Sequence, residues 1–270
     1  MGKNIKAAVL GAAGRMGKCI IKRINETEGI ELGAAIEKPG HPQLGEPAED
    51  FTGIRGLKIP LIDDLKKVLP EIDVVIDFTT PKSTLLNAEL IAKGKKPVVI
   101  GTTGFSSPEV ELLKQILAGV SWVFSPNMSI GVNVMFKIIN TVAQILKEDY
   151  EVEIIEIHHR QKQDAPSGTA TRLGNIIAQA RKQDWENVTV FGRKGITGER
   201  KPEEIGIHAV RAGDIIGEHT VFFAGLGERL EITHRAHSRD NFANGAVKAA
   251  LWVISQPPGM YTMEDVLGLT

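Results

Sequence analysis

Gly11-Ala12-Ala13-Gly14-Arg15-Met16-Gly17 follows directly on the apolar run Ile5-Lys6-Ala7-Ala8-Val9-Leu10, and this junction decides the reading of the fold. A short apolar run that ends in spaced glycines and continues into a helical pattern reads as strand, tight turn and helix. Glycine admits the turn, lets the backbone approach a pyrophosphate, and lets the helix pack close to the strand. The helix N-terminus adds N–H donors and the positive end of its dipole. The spacing is G-x-x-G-x-x-G rather than G-x-G-x-x-G, and glycine-rich turns also arise for steric reasons alone. Context sharpens the reading. Glu37 ends the next apolar run, 20 residues after Gly17, where an acid accepts hydrogen bonds from the adenosine ribose hydroxyls of a dinucleotide. Lys38 stands beside it and offers a charge to a 2′-phosphate, so the pair predicts that both NADH and NADPH are accepted.

Outward from the turn, residues 6–10, 32–36, 74–78 and 98–100 read as buried strands separated by helices. Thr80-Pro81 and Ser107-Pro108 each place proline at a first helical position, and the Gly- and Pro-rich residues 39–58 read as loop. Alternating strands and helices imply an α/β, Rossmann-like, doubly wound parallel sheet. The character changes near residue 130. A long helix over 130–146 is followed by strand-like 152–157, a helix opened by Ser167, and the strand-like runs 205–210, 220–223 and 230–234. Strands in succession predict a second, α+β domain on a mostly antiparallel sheet. The chain returns to helix at Phe242, Ala246, Ala249, Ala250 and Val253, and Thr262 with Asp265 has capping-box spacing. The pattern alone does not say which domain these last helices join.

Composition narrows the function. The chain has 270 residues, 42% hydrophobic and 24% charged, with a formal net charge of -1. Those values fit an ordinary globular protein, and no global basic field draws it to nucleic acid. The single cysteine, Cys19, can form neither an internal disulfide nor a multi-thiolate metal site, and reads as a small core residue. The opening residues lack a signal-peptide layout, and the most apolar stretch carries Asn133, Lys137, Asn140 and Gln144, so no membrane association is expected and the location read is cytoplasmic.

Two more turns follow strands of the first sheet: Gly101-Thr102-Thr103-Gly104, and Ser125-Pro126-Asn127-Met128. Ligands of open α/β sheets bind beyond the carboxyl ends of the strands, and small hydroxyl residues there suit a nicotinamide carboxamide and its ribose. The densest chemistry is Glu156-Ile157-His158-His159-Arg160-Gln161-Lys162-Gln163-Asp164-Ala165-Pro166-Ser167-Gly168-Thr169-Ala170. Ser167 reads as an N-cap, with Ala170, Leu173, Ile177 and Ala180 on one apolar helix face. The N–H groups of Gly168 and Thr169 then point outward to a carboxylate, Lys162 supplies charge or a proton, and the histidines titrate near neutral pH. A polar loop with a capping serine would explain Ser167, but not two histidines and a lysine at the same helix mouth. Zinc is disfavoured, because adjacent histidines on a strand point to opposite faces; no metal is expected.

Taken together, the segment 156–170, the 11–17 turn, Gly101-Thr102-Thr103-Gly104-Phe105, Asn127-Met128-Ser129-Ile130-Gly131-Val132-Asn133 and Phe242-Ala243-Asn244-Gly245-Ala246 resemble the 4-hydroxy-tetrahydrodipicolinate (dihydrodipicolinate) reductase family over nearly the whole chain. The resemblance implies reduction of that small dicarboxylate by NADH or NADPH in lysine and diaminopimelate biosynthesis, and a homotetramer. It implies that the C-terminal helices return to the nucleotide domain, giving 1–129 with 240–270 and a substrate-binding, oligomerising domain at 130–239. By motif it implies His158 and Lys162 as catalytic. His159, Gly168 and Thr169 match substrate positions. Gly11, Ala12, Ala13, Gly14, Arg15, Met16, Glu37, Gly101, Thr102, Thr103, Ser125, Pro126, Asn127 and Met128 match cofactor contacts, with Lys38 beside them. Arg239 is a further candidate for a substrate carboxylate. Lys38 stands where better-known members have arginine, so a point charge replaces a bidentate fork. The alternatives are another two-domain NAD(P)-dependent dehydrogenase acting on a small carboxylate, or a nucleotide-binding regulator without turnover. A semialdehyde dehydrogenase would need a catalytic cysteine in the substrate domain, and a regulator would leave the 156–170 cluster idle.

Overall fold

The computed structural model describes residues 4–269. Its elements, in chain order, divide into two compact units, one running to Ile130 and resuming at Arg239, the other Gly131–Ser238.

The first unit alternates as its apolar runs dictate: β1 Ile5–Leu10, α1 Arg15–Asn25, β2 Ile30–Ile36, α2 Ala48–Thr52, β3 Leu61–Ile62, α3 Leu65–Val68, β4 Val74–Asp77, α4 Pro81–Lys93, β5 Val98–Ile100, α5 Ser107–Ile116 and β6 Ser121–Phe124. The second unit contains α6 Ile130–Leu146, β7 Glu151–His158, α7 Gly168–Ala180, α8 Trp185–Val188, β8 Thr189–Phe191, β9 Ile205–Arg211, β10 Gly217–Gly225 and β11 Glu228–Ala236. The chain then adds α9 Asp240–Val253, β12 Gly259–Tyr261 and α10 Met263–Leu267 to the first unit.

The first sheet has seven strands in the order β12-β6-β5-β4-β1-β2-β3, all pairings parallel. Strands buried on both faces need continuous apolar runs, and Val74-Val75-Ile76 and Val98-Val99-Ile100 supply them with at most 1% exposure. Ile20, Ile24, Ala246 and Val253 pack one face; Ala88, Ile91, Leu113 and Leu117 pack the other. Strand order reverses direction at β1, so the turn after β1 lies at the switch point where ligands of open sheets sit. Because every strand runs the same way, the turns after β1, β2, β4, β5 and β6 gather at one edge.

Four sequence expectations are corrected. The 39–58 loop contains the short helix α2. α5 starts one residue earlier than the serine–proline pair suggests: Ser106 is its cap, its N–H and hydroxyl both donating to Glu109, and Pro108 falls at the second helical position. Cys19 is half-buried on α1 rather than in the core. The second sheet, ordered β11-β10-β7-β9-β8, is mixed. Its β11–β10 and β10–β7 pairs are antiparallel, but β7–β9 and β8–β9 are parallel. The physical reason is the connection: α7 follows β7 and returns the chain to the same end of the sheet, as a crossover must for a parallel partner.

α6 and α7 bury Val132, Phe136, Ile139, Leu173 and Ile177 against Val152, Ile154, Ile207, Val221 and Phe223. The segment before β9 is tied down by a half-buried carboxylate. Glu153 accepts from Arg193 at 2.9 and 3.1 Å, Arg200 at 3.0 Å and His208 at 2.7 Å. Burial pushes its pKa up, but these donors outweigh it and hold it at about 2.

α9 packs into the first unit's core through Ala243, Ala246, Ala249, Ala250 and Val253, and its backbone comes close to the 125–128 turn. A Cβ on Gly245 would lie 1.7 Å from the carbonyl oxygen of Met128. We therefore expect Gly245→Ala to force α9 off the 125–128 turn, costing about 1–3 kcal/mol or more. Thermal unfolding would show a Tm lowered by several degrees; an unchanged Tm contradicts this packing.

Candidate active site

In the first unit the turn after β1 is sterically obliged to be glycine. Gly11 has φ +75°, and a Cβ there would lie 2.6 Å from the carbonyl oxygen of Phe78. A Cβ on Gly17 would lie 2.1 Å from the carbonyl oxygen of Gly11. The helix therefore sits directly on the turn. Gly14 caps α1 without a side chain, whereas Thr80, Asp64 and Ser167 cap α4, α3 and α7 with theirs. The first-turn N–H groups from Arg15 onward have no side-chain acceptor of that kind, which is what a bound phosphate requires. Gly11 and Ala12 both donate to the carbonyl of Ile36, at 2.9 and 3.0 Å, which sets Glu37 beside the turn. Glu37 accepts from the N–H of Lys38 at 3.0 Å, and Lys38 is exposed.

The two later turns reach the same edge. Ser125 donates its hydroxyl to the carbonyl of Asn127 at 2.7 Å, and the Asn127 side chain accepts from the N–H of Ser129 at 2.9 Å. Pro126 is exposed and Met128 buried. Thr103 is exposed, while Thr102 is buried. Gly101 lies under the Phe78 ring, which a Cβ would penetrate at 2.2 Å. The glycine turn, an uncapped helix end, an acid at the strand beside it and two polar turns fit a dinucleotide. The sheet thus brings Gly11 to Met16, Glu37, Lys38, Gly101 to Thr103 and Ser125 to Met128 to one edge. Arg239 is the N-cap residue of α9, its carbonyl accepting from Phe242 at 3.1 Å.

In the second unit His158 is the last residue of β7 and nine-tenths buried; His159 lies just past the strand. The loop that follows is pinned at its root. The carbonyl of His158 accepts from Ala212 at 2.8 Å, and Arg160 donates to Gly213 at 3.1 Å. Lys162 holds Asp164 at 2.9 Å. Ser167 caps α7 by accepting from the N–H of Ala170 at 3.2 Å. Gly168 is exposed, and apart from its chain neighbours and its own helix backbone no described atom lies within 4 Å of where a Cβ would sit, so packing within the chain does not require glycine there. Histidines, lysine and helix mouth thus share one end of β7.

The sequence reading assigned no role to the group that joins them. Glu156 has no exposed surface. One carboxylate oxygen accepts from His158 Nδ1 at 2.5 Å and from Arg211 at 2.8 Å; the other accepts from the N–H of Ser167 and from Arg211, both at 2.9 Å. Burial pushes its pKa up, but the bonds from His158 and Arg211 outweigh that and hold it at about 2. A signal was available: Glu156 and His158 are two apart on a strand and so share a face. Arg211 could come only from the sheet, where β9 sets it opposite His158. His219 was also missed. Its ring meets that of His158 edge to face at 5.2 Å, and its Nε2 lies 3.1 Å from Ser167 Oγ. Burial, then the charge of His158, push His219 down to about 3, so it stays neutral.

A Rossmann-type sheet in one chain with a mixed-sheet unit carrying histidines, lysine and a helix mouth defines the class, the two-domain NAD(P)-dependent oxidoreductases. In fold the chain is similar to GenD2 from gentamicin A biosynthesis in complex with NAD, with a TM-score of 0.61 at 14% identity over 100% of this chain and 92% of that one. Residues 5–128 match the family model for the dihydrodipicolinate reductase N-terminus and 131–267 that for its C-terminus. The chain belongs to the dihydrodipicolinate reductase family. Proteins named 4-hydroxy-tetrahydrodipicolinate reductase are similar to it at 52% identity in Geotalea daltonii and 51% in Geobacter sulfurreducens, each over 98% of this chain and 99% of the relative. A dipicolinate-bound dihydrodipicolinate reductase from Paenisporosarcina sp. TG-14 aligns with a TM-score of 0.75 at 25% identity, over 96% of this chain and 98% of that one.

A second fully buried carboxylate lies beside the turns that follow β1 and β5. Asp77 ends β4 and accepts from the hydroxyls of Thr79 at 2.6 Å and Thr102 at 3.3 Å, while its other oxygen has no partner among the described residues. Burial raises its pKa to about 6, since hydroxyls compensate a charge less than cations do. A carboxyl raised above its unfolded value of 3.8 favours the fold below that pH and loses the contribution as pH rises to about 6. We expect the Tm of Asp77→Asn relative to the unaltered protein to climb between those limits and level off above them. A difference independent of pH contradicts the assignment.

Proposed function

We propose that this chain reduces 4-hydroxy-tetrahydrodipicolinate to tetrahydrodipicolinate with NADH or NADPH, in lysine and diaminopimelate biosynthesis. The observation that carries the assignment of roles is the convergence of His158, Lys162 and the opening of α7 at one end of β7. It supports recognition of a ring bearing two carboxylates. The space over Gly168 admits a carboxylate to the helix opening, where the N–H groups of Gly168 and Thr169 and the helix dipole favour negative charge. His159 and Lys162 add polar contact and positive charge. A substrate carboxylate takes the place of Asp164 on Lys162, which turns the ammonium toward the ring.

The bound cofactor supplies hydride from its nicotinamide. The chain's part is orientation and proton delivery. Fixing both carboxylates sets the electrophilic ring carbon in one attitude, which can supply a large share of a rate enhancement. The 4-hydroxyl leaves as water to give the conjugated ring that accepts hydride; Lys162 then donates the proton that the reduced ring takes up at carbon, and His158 replenishes or assists it. On the cofactor side, the first-turn N–H groups of α1 hold the pyrophosphate. Glu37 accepts from the ribose hydroxyls, and the 101–103 and 125–128 turns hold the nicotinamide end.

Glu37 favours NADH, while Lys38 offsets its repulsion of a 2′-phosphate. Exposed single-charge contacts are each worth about 0.2–1 kcal/mol, so neither cofactor is favoured by many orders of magnitude. A homotetramer through the second unit and a cytoplasmic location complete the proposal. The face of the second sheet away from its helices supports the tetramer, since it presents Ile155, Ile157, Thr220 and Phe222 half-buried and Val210 41% exposed. Among the described residues no helix is long and apolar enough to cross a membrane.

The function is tested by following cofactor oxidation with the cyclic dicarboxylate supplied by its synthase. Turnover with both NADH and NADPH is expected, and none with either would overturn the assignment. Lys162→Ala should lose most of its turnover while cofactor affinity, read by fluorescence titration, stays near that of the unaltered protein. Unimpaired turnover would remove Lys162 from the mechanism. For the cofactor, kcat/KM in Lys38→Ala should fall more with NADPH, and in Glu37→Ala more with NADH. Equal losses in both variants would show that these residues do not read the ribose.

A further inference from the structure

We infer that Glu156 is a positioning residue that fixes which nitrogen of His158 exchanges protons and, through its other oxygen, fixes the carboxylate-binding mouth of α7. The inference rests on the proposed roles of His158 and the helix mouth, and it adds what makes them act as one.

The argument begins with proton inventory. Glu156 is ionised, so both oxygens only accept. His158 Nδ1, 2.5 Å away, must therefore carry the hydrogen, and in the neutral ring Nε2 carries none. That leaves Nε2 as the atom that takes up and releases protons. The surroundings of Nε2 agree. It lies over Gly217 of β10, where a Cβ would stand 2.9 Å from it, so glycine there leaves the nitrogen uncrowded. The ring cannot turn aside, because Glu156 holds its other nitrogen and His219 packs against it edge to face at 5.2 Å.

The second oxygen does different work. It accepts from the N–H of Ser167 at 2.9 Å, immediately before Gly168. Ser167 is held again through its hydroxyl by His219 at 3.1 Å. Arg211 closes the arrangement by donating to both oxygens and to the carbonyl of Asp164 at 2.6 Å. The proton-exchanging ring, the loop bearing Lys162 and the helix mouth are thus referred to one carboxylate.

Glu156→Gln is the informative change, because glutamine has the same shape but one acceptor and one donor. With its NH2 toward His158 it opposes the Nδ1 hydrogen and favours the other tautomer. With its NH2 toward Ser167 it opposes that N–H and disturbs the mouth. Arg211 meets the donor in either case. We expect kcat to fall by about 10–100-fold, and affinity for pyridine-2,6-dicarboxylate to fall with it, while cofactor affinity is kept. Nitrogen-15 NMR of histidine-labelled protein without substrate should show the neutral His158 ring protonated at Nδ1 in the unaltered chain, and an altered pattern in Glu156→Gln. Gly217→Ala is the second variant. Its methyl group, which the pinned ring cannot escape, should lower kcat with cofactor affinity retained.

A neutral His158 protonated at Nε2 in the unaltered protein overturns the inference, and that measurement needs no variant. So do kcat and dicarboxylate affinity in Glu156→Gln indistinguishable from those of the unaltered protein, or an unchanged kcat in Gly217→Ala. The NMR result reads positioning in the free protein, whereas absence of turnover in the unaltered chain would count against the reductase reading instead.

Discussion

Two carboxylates with no exposed surface organise this chain, one in each unit, and each stands where its neighbours let it. Removing a carboxylate from water costs several kcal/mol even after the surroundings relax, so a buried one persists only among donors. Glu156 has a guanidinium, an imidazole N–H and a backbone N–H on its two oxygens, and stays ionised. Asp77 has hydroxyls on one oxygen and nothing described on the other, and its pKa is raised to about 6. The ionised group organises the histidine, the loop and the helix mouth of the second unit. Asp77 braces Thr79 and Thr102, and Thr102 lies in one of the turns that the cofactor is proposed to use.

The glycines of the first unit show how packing and chemistry coincide. Gly11 and Gly17 are required by carbonyl oxygens that a side chain would strike, whatever binds there. What suits this steric necessity to the proposed phosphate site is the lack of a side-chain cap on α1 and the arrival of Glu37 beside the turn through the shared carbonyl of Ile36. Gly168 is the opposite case. Apart from its chain neighbours and its own helix backbone, nothing in the described chain crowds it, and the proposed function places a substrate carboxylate in that space. The same residue type thus marks a tight contact in one unit and open space in the other.

Much of this was legible in the sequence, because the controlling signals are local. Continuous apolar runs announced the parallel strands, Thr80-Pro81 announced α4, and Ser167 with its apolar face announced α7. The 130–146 helix fell at the limits expected. What was not legible depends on partners far apart in the chain. The parallel placement of β9 beside β7 follows from how α7 returns the chain, and an apolar run carries no mark of direction. β12, three residues long, has too few positions to show a period, yet it completes the first sheet. In the site, the types of His158, Lys162 and Ser167 were visible together because they are close in sequence. Arg211 and His219 come from strands more than 40 residues further along the chain, and only the register of the sheet brings them in. Glu156 stands in the same cluster, and its two-residue spacing from His158 on a strand puts both on one face, a signal carried by the sequence itself.

The central claim is that one end of β7 holds a planar dicarboxylate between the helix mouth and the proton-bearing side chains. The most direct test is a crystal structure of this protein with pyridine-2,6-dicarboxylate. The account predicts a carboxylate of the ligand within hydrogen-bond distance of the Gly168 N–H, Lys162 moved from Asp164 to the ligand, and Glu156 still on His158 Nδ1. A dicarboxylate bound elsewhere, with the opening of α7 and Lys162 untouched, would contradict it.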